Sequence, residues 1–224
     1  MLTISDIPDE YRRGKTDGEN IARLAAGVQT AIAAAFGDPG LHALRRFVQA
    51  GFLFRSSDIG RVMISESEAL RDPLQETSQL VNFAGGALSA SALVGAVDLS
   101  AAAMRRLYLG PVNTPDDGRE ADVGKFPAEA KLPAEPMEWL QQTRESDGWE
   151  VLKVVRDQFV HRWFPMNITI VMGSGGGALH HLEIAGQKKS LPDFMVDSRE
   201  FVIDRLVAAG LVMDMYAKGA SGNP

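Results

Sequence analysis

The sequence predicts a mostly α-helical fold, a bundle of four amphipathic helices with an N-terminal helical hairpin and a small β-hairpin attached. Three observations predict it. Apolar residues recur at three-and-four spacing over several long stretches, breaks containing Gly or Pro part those stretches, and only 167–186 switches to a β-rich pattern. A chain of 224 residues can bury one sizeable core. With 45% hydrophobic and 23% charged residues, the composition excludes a chain that is disordered throughout.

Residues 1–16 mix Pro8, Gly14 and charges without a period and read as a tail. Asp17 caps a helix whose Ile21, Leu24, Val28, Ile32 and Ala35 share one side, and Gly37-Asp38-Pro39 closes it. A second helix with Leu41, Leu44, Phe47, Val48 and Phe52 completes a hairpin, so 1–56 forms a tail and a helical hairpin. Residues 56–67 fit a short strand or a turn of helix equally well. The bundle occupies 57–216, with helices over 73–84, 87–108, 136–164 and 197–216, the third stretch holding a short helix from Pro136 and then one from Gly148. Pro73 suits a first helical turn, and Gly85-Gly86 breaks the pattern before the next helix. In 87–108, Ser91, Gly95, Asp98, Ala102 and Arg105 fall on one side at about 100° per residue, which admits a neighbouring helix with one carboxylate in the seam. The acidic, Pro-rich stretch 110–136 is a long connection. Two β-rich runs around Gly173, Gly175, Gly176 and Gly177 form the β-hairpin 167–186. Asp197 with Glu200 fits a capping box for the last helix, whose Val202, Leu206, Ala209 and Met213 line one side, and 217–224 is a disordered tail.

The net charge is −6, and the acidity is local: residues 113–150 carry ten acidic groups against four basic ones. This gives no general electrostatic footprint for a polyphosphate, which leaves only a local patch for RNA. With no cysteine, the chain has no disulfide, thiolate metal site or cysteine nucleophile. The N-terminus lacks a basic region followed by an apolar run, and the small-residue run 87–104 is interrupted by Asp98, a poor membrane span. These features predict a cytoplasmic protein with no membrane contact. The glycine cluster precedes a strand and lacks the Lys of a phosphate-binding loop, so it reads as a turn and no cofactor is implied. On a strand His180 and His181 face opposite ways, leaving His181 with Glu183, too few ligands for a metal.

The chemistry concentrates in 148–164. On a helix, Trp149, Leu152, Val155, Phe159, Val160 and Trp163 fall within an arc of roughly 140°, the width of a core-facing stripe. Arg156 falls inside that arc. A buried guanidinium needs a carboxylate, and Asp98 is the candidate structural partner. Asp157 and His161, four apart, share a flank of the helix. A carboxylate beside an imidazole favours its protonated form and orients it, which suits acid–base work near neutral pH and equally a surface ion pair.

The string Arg156-Asp157-Gln158-Phe159-Val160-His161 resembles the signature of the HEPN superfamily, an Arg followed by a polar residue with a His four to six positions beyond the Arg. The resemblance covers about 73–216 and implies an antiparallel four-helix bundle, usually dimeric. It also implies the metal-independent endoribonuclease activity found in toxin–antitoxin and defence systems. In that reading Arg156 stabilises the phosphate transition state, His161 transfers a proton with Asp157 beside it, and a homodimer brings two such sets together. The alternative is a non-catalytic homodimeric protein-interaction module in which Arg156 is structural.

Overall fold

The computed structural model describes residues 17–69, 76–109, 123, 132–161, 168–172, 178–184 and 187–220. These residues are mostly helical: α1 (Asp17–Ala69), α2 (Glu76–Leu109), α3 (Ala134–Arg144), α4 (Asp147–His161) and α5 (Leu191–Ala220). Strands β1 (Ile168–Met172), β2 (Ala178–Ile184) and β3 (Gln187–Ser190) pair antiparallel in that order, with Ile170 opposite His180 and Leu182 opposite Lys189. The glycine cluster, Pro73 and Trp163 lie outside the described residues.

Several helix boundaries differ from those the sequence predicts. Within α1 two helices meet at Gly37, where a positive φ of 58°, which glycine adopts without strain, interrupts the helical path where the sequence places the end of the first helix. A methyl at Gly40 would lie 2.6 Å from the Ile32 side chain, although eight residues of straight helix span about 12 Å, so the chain doubles back sharply here. Beyond the kink, 56–67 is helix, and α1 runs unbroken to Ala69. Gly85-Gly86 is not a break but lies inside α2. The stretch 136–164 holds two helices, as the short helix from Pro136 and the motif helix from Gly148 predict, parted at Glu145–Ser146, where the Ser146 hydroxyl caps the Thr143 carbonyl at 2.8 Å. The last helix starts at Leu191 rather than Asp197. The Ser190 hydroxyl accepts the Asp193 N–H at 3.2 Å, so Ser190 is the N-cap that the Asp197–Glu200 pattern mimics. At its other end α5 continues to Ala220, where Lys218 and Asp214 pair across one turn at 2.7 Å.

The chain forms two compact units built from interleaved segments. One comprises 1–53, 95–146 and 202–224, the other 54–94 and 147–201. In the first, Val28, Ile32, Phe47, Val97, Met104, Trp139, Leu140, Leu206 and Met213 are core residues. The Trp139 indole donates to the Arg205 carbonyl at 2.9 Å, tying α3 to α5. Phe36 stacks on Tyr216 at 5.1 Å, and Tyr216 tilts against Tyr108 at 4.1 Å. The Tyr108 hydroxyl donates to the Val212 carbonyl at 3.3 Å. From the acidic connection, Val123 is wholly buried and held at both backbone ends. Its N–H donates to Asp98 Oδ1 at 2.9 Å and its carbonyl accepts from Arg144 Nε at 2.6 Å.

In the second unit, α1 and α2 meet backbone to backbone. A methyl at Gly60 would collide with the Gly85 carbonyl and the Ser89 hydroxyl, and one at Gly85 would lie 2.6 Å from the Gly60 carbonyl. Such an approach leaves no room for a Cβ and brings Cα–H groups against carbonyl oxygens. Around it the polar groups are matched: Ser89 Oγ donates to the Ser57 carbonyl at 2.8 Å, and Asn82 Nδ2 to Ser67 Oγ at 2.9 Å. Gly86 serves α4 in the same way, since a methyl there would stand 2.5 Å from the Phe159 ring. One helix among the described residues, Gln79–Tyr108, is long and apolar enough to cross a membrane, which the reading of 87–104 as a poor span did not anticipate. Of its most apolar window 56% is buried by the protein itself, more than half.

Gly60→Ala is expected to lower the urea-derived unfolding free energy by roughly 1–3 kcal/mol through overpacking, whereas Gly27→Ala, where no atom lies within 4 Å, raises it by about 0.5–1 kcal/mol. Burial first and Glu135 second push the Tyr108 phenol well above the usual tyrosine range. Between about pH 10 and the raised folded value the unfolded chain sheds this proton and the folded chain keeps it, so stability is full below about pH 10 and falls as pH rises. Tyr108→Phe therefore flattens the alkaline limb of a melting-temperature profile.

Candidate functional site

Helix α4 belongs to the second unit and buries Trp149, Leu152, Val155 and Phe159 on one stripe. Phe159 meets Phe83 edge to face at 5.5 Å. The predicted stripe is too wide on one margin, for Val160 is 51% exposed. Arg156, one turn before Val160, keeps its place inside the arc, but its side chain is 31% exposed, so it is half-buried rather than a core charge.

The partner of Arg156 is its neighbour in sequence. Asp157 Oδ1 stands 2.6 Å from Arg156 Nε, on a side chain 50% exposed. The carboxylate lies off the N–H direction, so the pair is an ion pair while Nε itself is buried with no hydrogen bond. Asp98, the expected partner, belongs to the first unit, where its carboxylate receives the Val123 N–H. His161 is the last residue of α4, one turn beyond Asp157, and its side chain lies outside the described residues. The structure thus places Arg156 and Asp157 together on the outer flank of α4 and His161 one turn farther along the same helix.

Two other arginines were not singled out in the sequence. Arg205, in the first unit, is the charged residue within the buried set, and burial pulls its pKa down while Asp204 opposes the shift. The signal for it was present, because Arg205 falls on the Val202–Leu206–Ala209 stripe of α5. Arg199, in the second unit, lies 4.3 Å over the Phe54 ring, donates to the Phe54 carbonyl at 3.1 Å and pairs with Asp58 at 3.3 Å. Cation–π stacking and charge-assisted hydrogen bonds act together there. No local sequence pattern announces it, since its partners are more than 140 residues away in the chain.

Among the described residues no group of three His, Asp or Glu side chains converges to hold a metal ion. The hollow on the second unit between α4 and the start of α5, lined by Asp147, Glu150 and Phe194, also escapes sequence reasoning, because its walls come from separate helices. No protein-family model, curated protein or solved structure matches the chain.

A half-exposed ion pair contributes little to folding. Arg156→Ala is expected to lower the unfolding free energy by no more than about 1 kcal/mol in urea denaturation, whereas a buried pair broken on one side would cost about 3–5 kcal/mol.

Proposed function

We propose that the chain is a cytoplasmic HEPN-like protein, an antiparallel four-helix bundle working as a homodimer that cleaves RNA without a metal, as in bacterial defence or toxin–antitoxin systems. The observation that carries this reading is the position of Arg156. Its side chain is partly exposed, beside Asp157 and in the same motif as His161, so the outer part of the guanidinium can meet a phosphate.

The chemistry asked of these residues is modest. A ribose 2′-hydroxyl attacks the adjacent phosphorus, forming the P–O2′ bond and breaking the P–O5′ bond. The products are a 2′,3′-cyclic phosphate and a free 5′-hydroxyl. His161 of one protomer takes the 2′-hydroxyl proton and its symmetry mate gives a proton to the departing 5′-oxygen. Arg156 neutralises the negative charge that builds on the phosphoryl oxygens, and Asp157 holds the guanidinium in place and offsets its charge between turnovers.

A second reading is favoured by exposed aliphatic side chains on the second unit, Ile59 and Val62 on α1 and Leu80 and Leu88 on α2. In it the chain is a non-catalytic homodimeric interaction module and Arg156 is structural. Single-stranded RNA incubated with the purified chain in excess chelator separates the two. The ribonuclease reading expects fragments with cyclic phosphate ends, complete loss of cleavage in His161→Ala with an unchanged circular dichroism spectrum, and a rate at least about a hundredfold lower in Arg156→Ala. RNA left intact by the unaltered chain overturns it, and a dimer in sedimentation that Leu80→Glu dissociates then supports the interaction module.

A further inference from the structure

On the second unit, the first turns of α4 and the N-terminal part of α5 enclose a hollow of about 620 Å³. This is the size of a small-molecule site, and its make-up fits one: an apolar floor with a few polar groups converging on it. Val151, Val154, Phe194 and Phe201 supply the floor. Gly148 keeps the wall thin, since a methyl there would lie 2.8 Å from the Phe201 ring. Asp147 and Glu150 stand on α4, Asp197 on α5 and Lys189 at the end of β3.

The charges do not cancel. Lys189 is engaged by Asp197, so Asp147 and Glu150 remain as two carboxylates facing the same space. The N-terminus of α4 offsets roughly half a charge and leaves the hollow negative. The telling residue is Ser198. It lines the hollow, is only 6% exposed, and its hydroxyl has no hydrogen-bond partner among the described residues. The residue is enclosed but its oxygen opens onto the hollow, where a donor carried by a ligand can take the place of water.

From these features we infer that the hollow binds an aliphatic diamine or short polyamine. The methylene spine lies on Phe194, Phe201 and Val154, one ammonium group meets Asp147 and Glu150, and another N–H donates to Ser198 Oγ. Two positive charges match the two carboxylates left over, and an alkyl body matches the floor. A monovalent metal ion would leave the floor uncovered, and an uncharged diol would leave the carboxylates unmatched.

Isothermal titration of the full chain with putrescine and spermidine at fixed ionic strength tests this. Saturable binding at one site is expected. The double variant Asp147→Asn/Glu150→Gln should raise the dissociation constant at least tenfold, and Ser198→Ala several-fold. Glu200→Gln, a charge on α5 that does not line the hollow, should leave it unchanged. Circular dichroism and melting curves confirm that each variant is folded. The inference is overturned by no binding, by equal displacement with magnesium at the same charge concentration, by equal affinity for 1,4-butanediol, or by the Glu200→Gln variant losing as much as the double variant. It concerns a different face of α4 from the one that carries Arg156, so neither outcome decides the ribonuclease reading.

Discussion

The contact on which the second unit depends is the meeting of α1 and α2 at Gly60 and Gly85. Two helices that touch through backbone have no side chains between them to absorb a change in spacing. Their separation is therefore set by the van der Waals radii of carbonyl oxygens and α-carbons. Every polar group along the seam must then find a partner at that fixed separation, and Ser89 with the Ser57 carbonyl and Asn82 with Ser67 do so. Ser57 also donates to the Phe54 carbonyl at 2.6 Å, and the same carbonyl accepts Arg199 from α5. The seam thus fixes α1, the Phe54–Ser57 turn of α1 receives α5, and Gly86 on the other side of α2 receives Phe159 of α4.

Much of the helical character was legible in the sequence, since an apolar residue every three or four positions matches the pitch of a helix and not the alternation of a strand. Helix ends were less legible, and in each case the ambiguity is physical. Gly85-Gly86 looks like a break because glycine lowers helix propensity, yet α2 keeps both because two other helices press against the positions where side chains would be. Asp197 and Glu200 look like a cap because the motif is local, yet Ser190 holds the real one seven residues earlier. In the first unit, Val123 could not have been foreseen as an anchor. Nothing in the residues around it differs from the rest of the acidic connection, and its two partners lie on α2 and beyond the end of the connection.

The arginines show the same limit at the level of a site. A helical projection places Arg156 among apolar neighbours, yet its long side chain still reaches water. Arg205 falls on a similar stripe and is buried. What separates them is the depth of cover from other helices, a property that no single-helix projection contains. The motif from Arg156 to His161 is therefore readable as a string. Its accessibility is a tertiary fact, and so is the unmatched hydroxyl of Ser198.

The interleaving of the two units has a consequence for how the chain is made and cut. Three of the boundaries between them, after residues 53, 94 and 201, fall inside continuous helices and not in connections. A ribosome that has released residues 1–146 has delivered every part of the first unit except its last segment, and the second unit still lacks its larger portion. Neither can close early, so synthesis holds both open until α5 emerges. For the same reason no single protease nick or gene truncation yields one unit intact, and any fragment expressed to isolate the motif helix would carry severed halves of both.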